Sequence, residues 1–366
     1  DLKRAREIVG ESCDMMRRLY PPSRYPAGVP ELVRSISNFG VVLHFAGDEK
    51  GALERHMEAL QMAQRLGEQT MATASEESGL TFARSQVVWR DAYLSLALSA
   101  PGREADAYQV VWNSKAVVTR VLERRHRAAR AAGTGQSDRL ARLRDVRQRM
   151  DKSLRFDAEG PARDRTLAAL SVEQGKLERE LAAALPELPR PTERDRLGPA
   201  DLVRLLPPGT AFIDVLAFNR LVRGGRPDSI AGWHRELHYI AFILAPDRPV
   251  MRVALGEAGA IHRAIADWRA AIDARGPTAA DAEARRLVWE PISRHLPVGT
   301  RRLYVAPDGA LDRMPWVALP GSAPGRVLLD EYPDGMATVP HAAHLLAALK
   351  FPAPPAPAAG QVLAVG

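Results

Sequence analysis

Two periodicities divide the chain. Through the first half, apolar residues recur at i, i+3 and i+4, the spacing of one helix face. Asp1–Tyr20, Glu31–Phe45 and Glu49–Leu66 each read as amphipathic helices, and a loop from Tyr20 to Pro30 carries Pro21, Pro22, Pro26, Gly28 and Pro30. The helical period continues from Trp112 to Leu185. There Leu140, Leu143, Met150 and Leu154 form one stripe, and Leu170, Leu177, Leu181 and Leu185 another. Gly160-Pro161 interrupts the run between them, which predicts an antiparallel hairpin. Pro186–Pro199 mixes proline with charge and marks a boundary. Beyond it the period shortens. Ala211–Phe218, His238–Ala245, Val250–Leu255 and Arg301–Ala306 read as strands, with further strands near Val327–Leu329 and at Gln361–Val365. Ala258–Ala274, Ala279–His295 and His341–Lys350 read as helices between them. Strands alternating with helices predict an α/β sheet. Arg301–Ala306 and Gln361–Val365 are expected to be neighbouring parallel strands joined by a right-handed crossover. Trp316 and Leu319 are expected beneath them.

The first half also repeats itself. Offsetting the chain by 47 residues aligns Asp1–Tyr20 with Asp48–Gly67, and eight of the twenty positions are identical, among them Ala5/Ala52, Glu11/Glu58, Met15/Met62 and Leu19/Leu66. A helix–turn–helix unit with small residues at fixed offsets is the tetratricopeptide (TPR) pattern. Gly40, Ala52 and Ala59 fall where two helices approach closely. Leu80–Ser99 and Glu104–His126 are expected to form a third pair. On the TPR pattern, Asn38 and Arg34 lie on the first helix of their repeat and are the candidate partner-binding residues. An Asn there can hydrogen-bond a peptide backbone or carboxylate, or be a plain exposed polar side chain.

Composition excludes several chemistries. Hydrophobic residues make up 46% and charged residues 26% of the 366, an ordinary globular balance. No apolar run is long enough to span a bilayer. The one cysteine, Cys13, rules out a disulfide framework and a cysteine-rich zinc site, and a lone thiol fits the cytoplasm. Cys13 aligns with Leu60 in the repeat, a core-type position. No glycine-rich phosphate loop is present, since Gly224-Gly225 sits in a polar hairpin without the spacing. No cofactor and no metal site are expected. His341 and His344 suit a capping or helix-face role, and His234 and His238 share one face of a strand. Net charge is +7, yet Arg120–Arg155 holds twelve basic against four acidic residues, a local +8. That segment could contact phosphates, but it lacks the interleaved aromatics of a single-strand platform, so nucleic acid is not the expected partner.

Residues 303–320 read L-Y-V-A-P-D-G-A-L-D-R-M-P-W-V-A-L-P. This resembles the opening signature of CHAT domains: a strand, P-D-G, a leucine, then P-aromatic-x-A-L. Leu328–Tyr332, Thr338-Val339-Pro340 and Val362–Gly366 resemble later segments of that family. Leu19–Pro22, Ser37–Gly40 and Val111–Lys115 resemble the tandem TPRs that precede CHAT domains in bacterial proteins. Pro307, Asp308, Gly309, Leu311, Pro315 and Trp316 carry the signature, with a structural role: Pro307 ends a strand, Asp308 bonds its own turn and Gly309 supplies positive φ. The resemblance implies a caspase- and separase-like fold. That class uses a thiolate nucleophile, a histidine and an oxyanion hole, with the histidine in H-G and the cysteine in S-A-C. Neither motif occurs here, so the chain reads as truncated before them and inactive by itself.

The expected fold class is therefore α + α/β: TPR-like helical repeats over 1–126, a basic helical hairpin over 127–190, and the N-terminal part of a CHAT domain over 200–366. The expected function is the partner-binding and scaffold portion of a CHAT-domain cysteine peptidase-like protein, with the TPRs recognising a protein or peptide. The alternatives are a non-catalytic TPR–CHAT signalling scaffold, and weak nucleic-acid binding through the Arg-rich hairpin.

Overall fold

The small residues of the internal repeat let its helices close on one another. The structure, a computed structural model, describes residues 2–73, 76–99, 101–115, 134–157, 159–184, 197–223, 233–275 and 279–351. α1 (Leu2–Leu19), α2 (Pro30–Phe45) and α3 (Glu49–Thr73) follow in order, and α2 packs against both others. Ala52 and Ala59 of α3 are fully buried. A Cβ on Gly40 of α2 would lie 3.0 Å from His56 Nε2 and 3.2 Å from the Ala52 carbonyl, so a larger residue would have to push the neighbouring helix or the His56 ring aside. Cys13, Leu32, Val33, Ile36, Ala59 and Ala63 form the core of the three helices. Arg17 of α1 places Nη2 2.9 Å from both carboxylate oxygens of Glu58. Both side chains are about one-third exposed, so this pair adds at most about 1 kcal/mol.

The chain divides into two compact units. The first comprises Asp1–Ala100, Asn113–Thr192 and Asn219–Arg235, and the second Pro101–Trp112, Glu193–Phe218 and Glu236–Gly366. These units cut across the three consecutive segments expected from sequence. The anticipated third helical pair is split: α4 (Glu76–Ala97) lies in the first unit, whereas residues 104–112 of α5 (Glu104–Ser114) lie in the second. The reason is side-chain chemistry on α5. Ala107, Tyr108, Val110, Val111 and Trp112 are all buried, and Tyr108 packs on Phe242 of the sheet with ring centroids 5.1 Å apart.

In the first unit, α6 (Thr134–Phe156) and α7 (Pro161–Ala184) form the expected antiparallel hairpin. Leu140 meets Leu181 at one end, while Leu143, Val146, Leu170 and Leu177 pack together with Met150. The stripe turns out shorter than expected. Leu154 is 56% exposed, although its spacing keeps it on the same helix face, and Val146 joins the core instead. Leu185 and the basic residues Arg124, Arg125 and Arg127 lie outside the described residues. Also in this unit, the backbone N–H of Asn219 donates to Asp91 Oδ2 at 2.8 Å and that of Leu221 to Ser95 Oγ at 2.9 Å, both acceptors on α4.

The second unit is built on a five-stranded mixed sheet. β1 (Thr210–Arg223), β2 (Trp233–Leu244), β3 (Met251–Glu257), β4 (Arg302–Ala306) and β5 (Met336–Thr338) lie in the order β3-β2-β1-β4-β5. β4 runs parallel to both β1 and β5, and β2 antiparallel to β3. β1 is buried on both faces over 210–216, as the near-continuous apolar run of a covered strand requires. Ile213 and Val215 join Leu303 and Val305 in a core closed by Ile261, Ile265 and Trp268 of α9 (Ala258–Asp273) and by Leu311, Trp316 and Leu319. Trp316 and Leu319 thus lie beneath the sheet as expected. Phe212, Asp214 and Leu216 alternate with Ile213 and Val215, and Asp214 meets Tyr108.

Several expected elements differ. Val327–Leu329 forms no strand beyond a single bridge, Pro320 to Val327, and Leu328–Glu331 is a 3₁₀ turn. The strand comes later, at Met336–Thr338, paired with Leu303–Val305. With β1 on one side of β4 and β5 on the other, both edges of Arg302–Ala306 are taken. The expected neighbour Gln361–Val365 lies outside the described residues, as does Gly224-Gly225. The helix anticipated over Ala279–His295 is interrupted: α10 (Ala280–Ala284) passes through a π segment, Arg285–Trp289, into α11 (Glu290–Ser293). Pro291 has no N–H to donate to a regular ladder, and the wider turn accommodates it. α8 (Pro199–Leu205) and α12 (Ala342–Lys350) pack together. His341 is the N-cap of α12, its Nδ1 accepting the His344 N–H at 3.1 Å.

Candidate functional site

The two partner-binding candidates share a helix face. Pro30 opens α2 at a position where its missing N–H costs nothing. Leu32, Val33, Ile36, Ser37 and Gly40 then turn inward and are buried, which leaves Arg34 and Asn38, four residues apart, exposed. Such spacing puts both on one face. A guanidinium and an amide one turn apart can together hold a carboxylate or an extended peptide backbone. On the buried side, His56 of α3 is fully enclosed, with Nδ1 3.4 Å from Ser37 Oγ. Desolvation, with a smaller contribution from His44, lowers its pKa to about 4, so the ring is neutral at physiological pH.

Cys13 is not a nucleophile in this setting. It is fully buried among Leu32, Val33, Ile36, Ala59 and Ala63. Burial raises its pKa against a smaller opposing pull from Arg17. A protonated thiol in an apolar core packs as a small hydrophobe.

The signature residues assemble at the carboxyl end of β4. Pro307 is buried just past the strand. Asp308 makes two bonds: Oδ1 accepts from Gly309 N at 3.0 Å, and Oδ2 from Ala217 N of β1 at 2.9 Å. The carboxylate therefore ties the exit of β4 to the adjacent strand, beyond the local turn role expected of it. Gly309 has φ +60°, and a Cβ there would sit 2.7 Å from the Tyr239 hydroxyl. That hydroxyl accepts the Ala310 N–H at 2.9 Å and lies 3.0 Å from His262 Nε2. Burial pushes the Tyr239 pKa up, partly opposed by the Ala310 N–H. Leu311 is fully buried, and Trp316 donates Nε1–H to the Leu311 carbonyl at 3.1 Å. Pro315 is half-buried before it.

Sequence reasoning missed Tyr239 and His262, which bracket the turn from β2 and α9. It also missed Tyr108, whose hydroxyl donates to the buried Asp214 carboxylate at 3.0 Å. Burial, then the neighbouring carboxylate, holds the Tyr108 hydroxyl well above its ordinary pKa, so it stays a proton donor. The one sequence signal was an aspartate inside an apolar strand, since a buried carboxylate requires a partner. With its five histidines and no cysteine, the second unit contains no Cys–His pair from its own residues. Among the described residues, no group of three or more His, Cys, Asp or Glu could hold a metal ion, and no helix is long and apolar enough to cross a membrane. On α6, Arg147 reaches Glu178 at 3.1 Å, and Arg149 reaches Glu173 at 3.8 Å and Asp145 at 3.7 Å, so part of the basic segment is neutralised within its own hairpin. Comparison of the chain with protein-family models, with curated proteins and with solved structures finds no match.

Proposed function

We propose that this chain is the partner-binding and scaffold portion of a CHAT-domain cysteine peptidase-like protein, with TPR-like helices recognising a protein or peptide through the α2 face of Arg34 and Asn38. The observation that carries this reading is the 47-residue internal repeat, folded into packed helices whose middle member leaves those two polar residues exposed side by side. In the second unit, both carboxylate oxygens of Asp308 are engaged in holding the turn at Gly309 and tying the strand exit to β1. That favours a signature of architecture over one of catalysis. The buried, protonated Cys13 supports a chain without peptidase activity of its own, and equally favours a non-catalytic signalling scaffold.

The test is binding. Once a protein or peptide ligand is identified, Asn38→Ala and Arg34→Ala should each weaken its affinity in titration calorimetry, by about 1 kcal/mol or more, without altering the unfolding temperature. Unchanged affinity in both variants removes the α2 face from the site. An activity-based thiol probe should leave the native chain unlabelled. Labelling of Cys13 that tracks peptide cleavage would defeat the reading.

A further inference from the structure

α1 carries an apolar stripe that the described residues of its own unit leave exposed. Ile8, Met15 and Leu19 are 55%, 55% and 60% exposed. At about 100° per residue they lie within about 40° of one another. Cys13, Met16 and Tyr20, on another side of the helix, pack toward α2. The internal repeat indicates what such a stripe meets. Met15 and Leu19 align with Met62 and Leu66 of α3, and in α3 those residues pack into the cluster formed by Leu32, Val33 and Ile36 of α2. Charge follows the same register. Glu11 aligns with Glu58, which receives Arg17 from the preceding hairpin at 2.9 Å. Glu11 has no ion-pair partner among the described residues.

We propose that this stripe is a docking surface for a helical hairpin of a partner protein, built with the chemistry of α1–α2. Its second helix offers aliphatic residues at i, i+1 and i+4, as Leu32, Val33 and Ile36 do, and its first helix supplies an arginine to Glu11. The bound hairpin repeats at the outer side of α1 the packing that α3 already makes on α1 and α2. In the internal precedent the arginine and the aliphatic residues come from two different helices, Arg17 from α1 and Leu32, Val33 and Ile36 from α2, which points to a hairpin. This surface is separate from the Arg34 and Asn38 face and does not depend on the function proposed for it.

The probe is a synthetic hairpin of residues 1–47, stapled to be helical and carrying Met15→Glu so that it cannot stack on itself. It is titrated onto the full chain by fluorescence anisotropy. Saturable one-to-one binding is expected, weakened at least about tenfold by Met15→Glu in the full chain. Glu11→Arg in the chain should weaken binding as well, and a probe with Arg17→Glu should restore it. These positions are exposed, so thermal unfolding of the variants should match the native chain. Three results overturn the proposal: no binding of the helical probe, binding indifferent to Met15→Glu, or sedimentation of the native chain as a dimer that Met15→Glu dissociates. The last would assign the stripe to a second copy.

Discussion

His56 should make the helical unit acid-labile. Its ring is enclosed between α2 and α3, held by Ser37 Oγ on one side and abutting Gly40 on the other. Enclosure favours the neutral ring, and protonation would also bring a second positive charge near His44. The folded pKa is about 4 against an ordinary value of 6.5. The sign follows directly. Above pH 6.5 the ring is neutral in both states and the folded state carries no penalty. As pH falls, the unfolded chain takes up the proton first, and stability is lost progressively between pH 6.5 and about 4. At about 1.4 kcal/mol per pH unit, the loss reaches about 2 kcal/mol at pH 5 and approaches 3 kcal/mol near pH 4. Urea unfolding at pH 7.5 and pH 5.0 measures it, with His56→Gln as the reference, since the amide keeps a hydrogen-bonding group and does not titrate. The native chain should lose about 2 kcal/mol more than the variant between the two conditions. Equal losses would refute the assignment of a buried neutral histidine at this crossing.

Gly309→Ala should destabilise the sheet-bearing unit by about 2 kcal/mol or more, because it combines positive φ with a Cβ 2.7 Å from the Tyr239 hydroxyl; paired with Tyr239→Phe, the penalty should shrink in thermal melts if the clash is the cause. Tyr108→Phe removes the donor to the buried Asp214 carboxylate and should cost about 1–3 kcal/mol, read by urea denaturation, with Asp214→Asn in the same background recovering part of it. Gly40→Ala should cost about 1–3 kcal/mol through crowding of His56 and the Ala52 carbonyl, and an unchanged unfolding midpoint would show that the crossing can relax.

The sequence by itself determined the elements whose information is local. The 3.6-residue apolar spacing marked α1, α2, α3 and the α6–α7 hairpin, and small residues at fixed offsets picked out Gly40, Ala52 and Ala59 as contact points. Pro307-Asp308-Gly309 announced a strand exit, and the apolar run Ala211–Phe218 announced a strand. The two exposed residues of α2, Arg34 and Asn38, could be placed on one face from spacing alone. What those residues bind is another matter, since nothing in their spacing names a ligand.

Tertiary structure alone decided the rest. Tyr108 meets Asp214 across 106 residues, Tyr239 supports Ala310 across 71, and Asn219 reaches Asp91 across 128. No periodicity links such partners, because helix and strand patterns encode only which face is apolar and not which other face it meets. The same limit explains β5. Three residues are too few to show a period, and Met336–Thr338 becomes a strand because the backbone groups of β4 are available to pair with it. It explains α5 too, whose helical pattern suited a third repeat equally well. Its buried aromatic residues settled it against the sheet instead, where Tyr108 satisfies a carboxylate that would otherwise be buried at a cost of several kcal/mol.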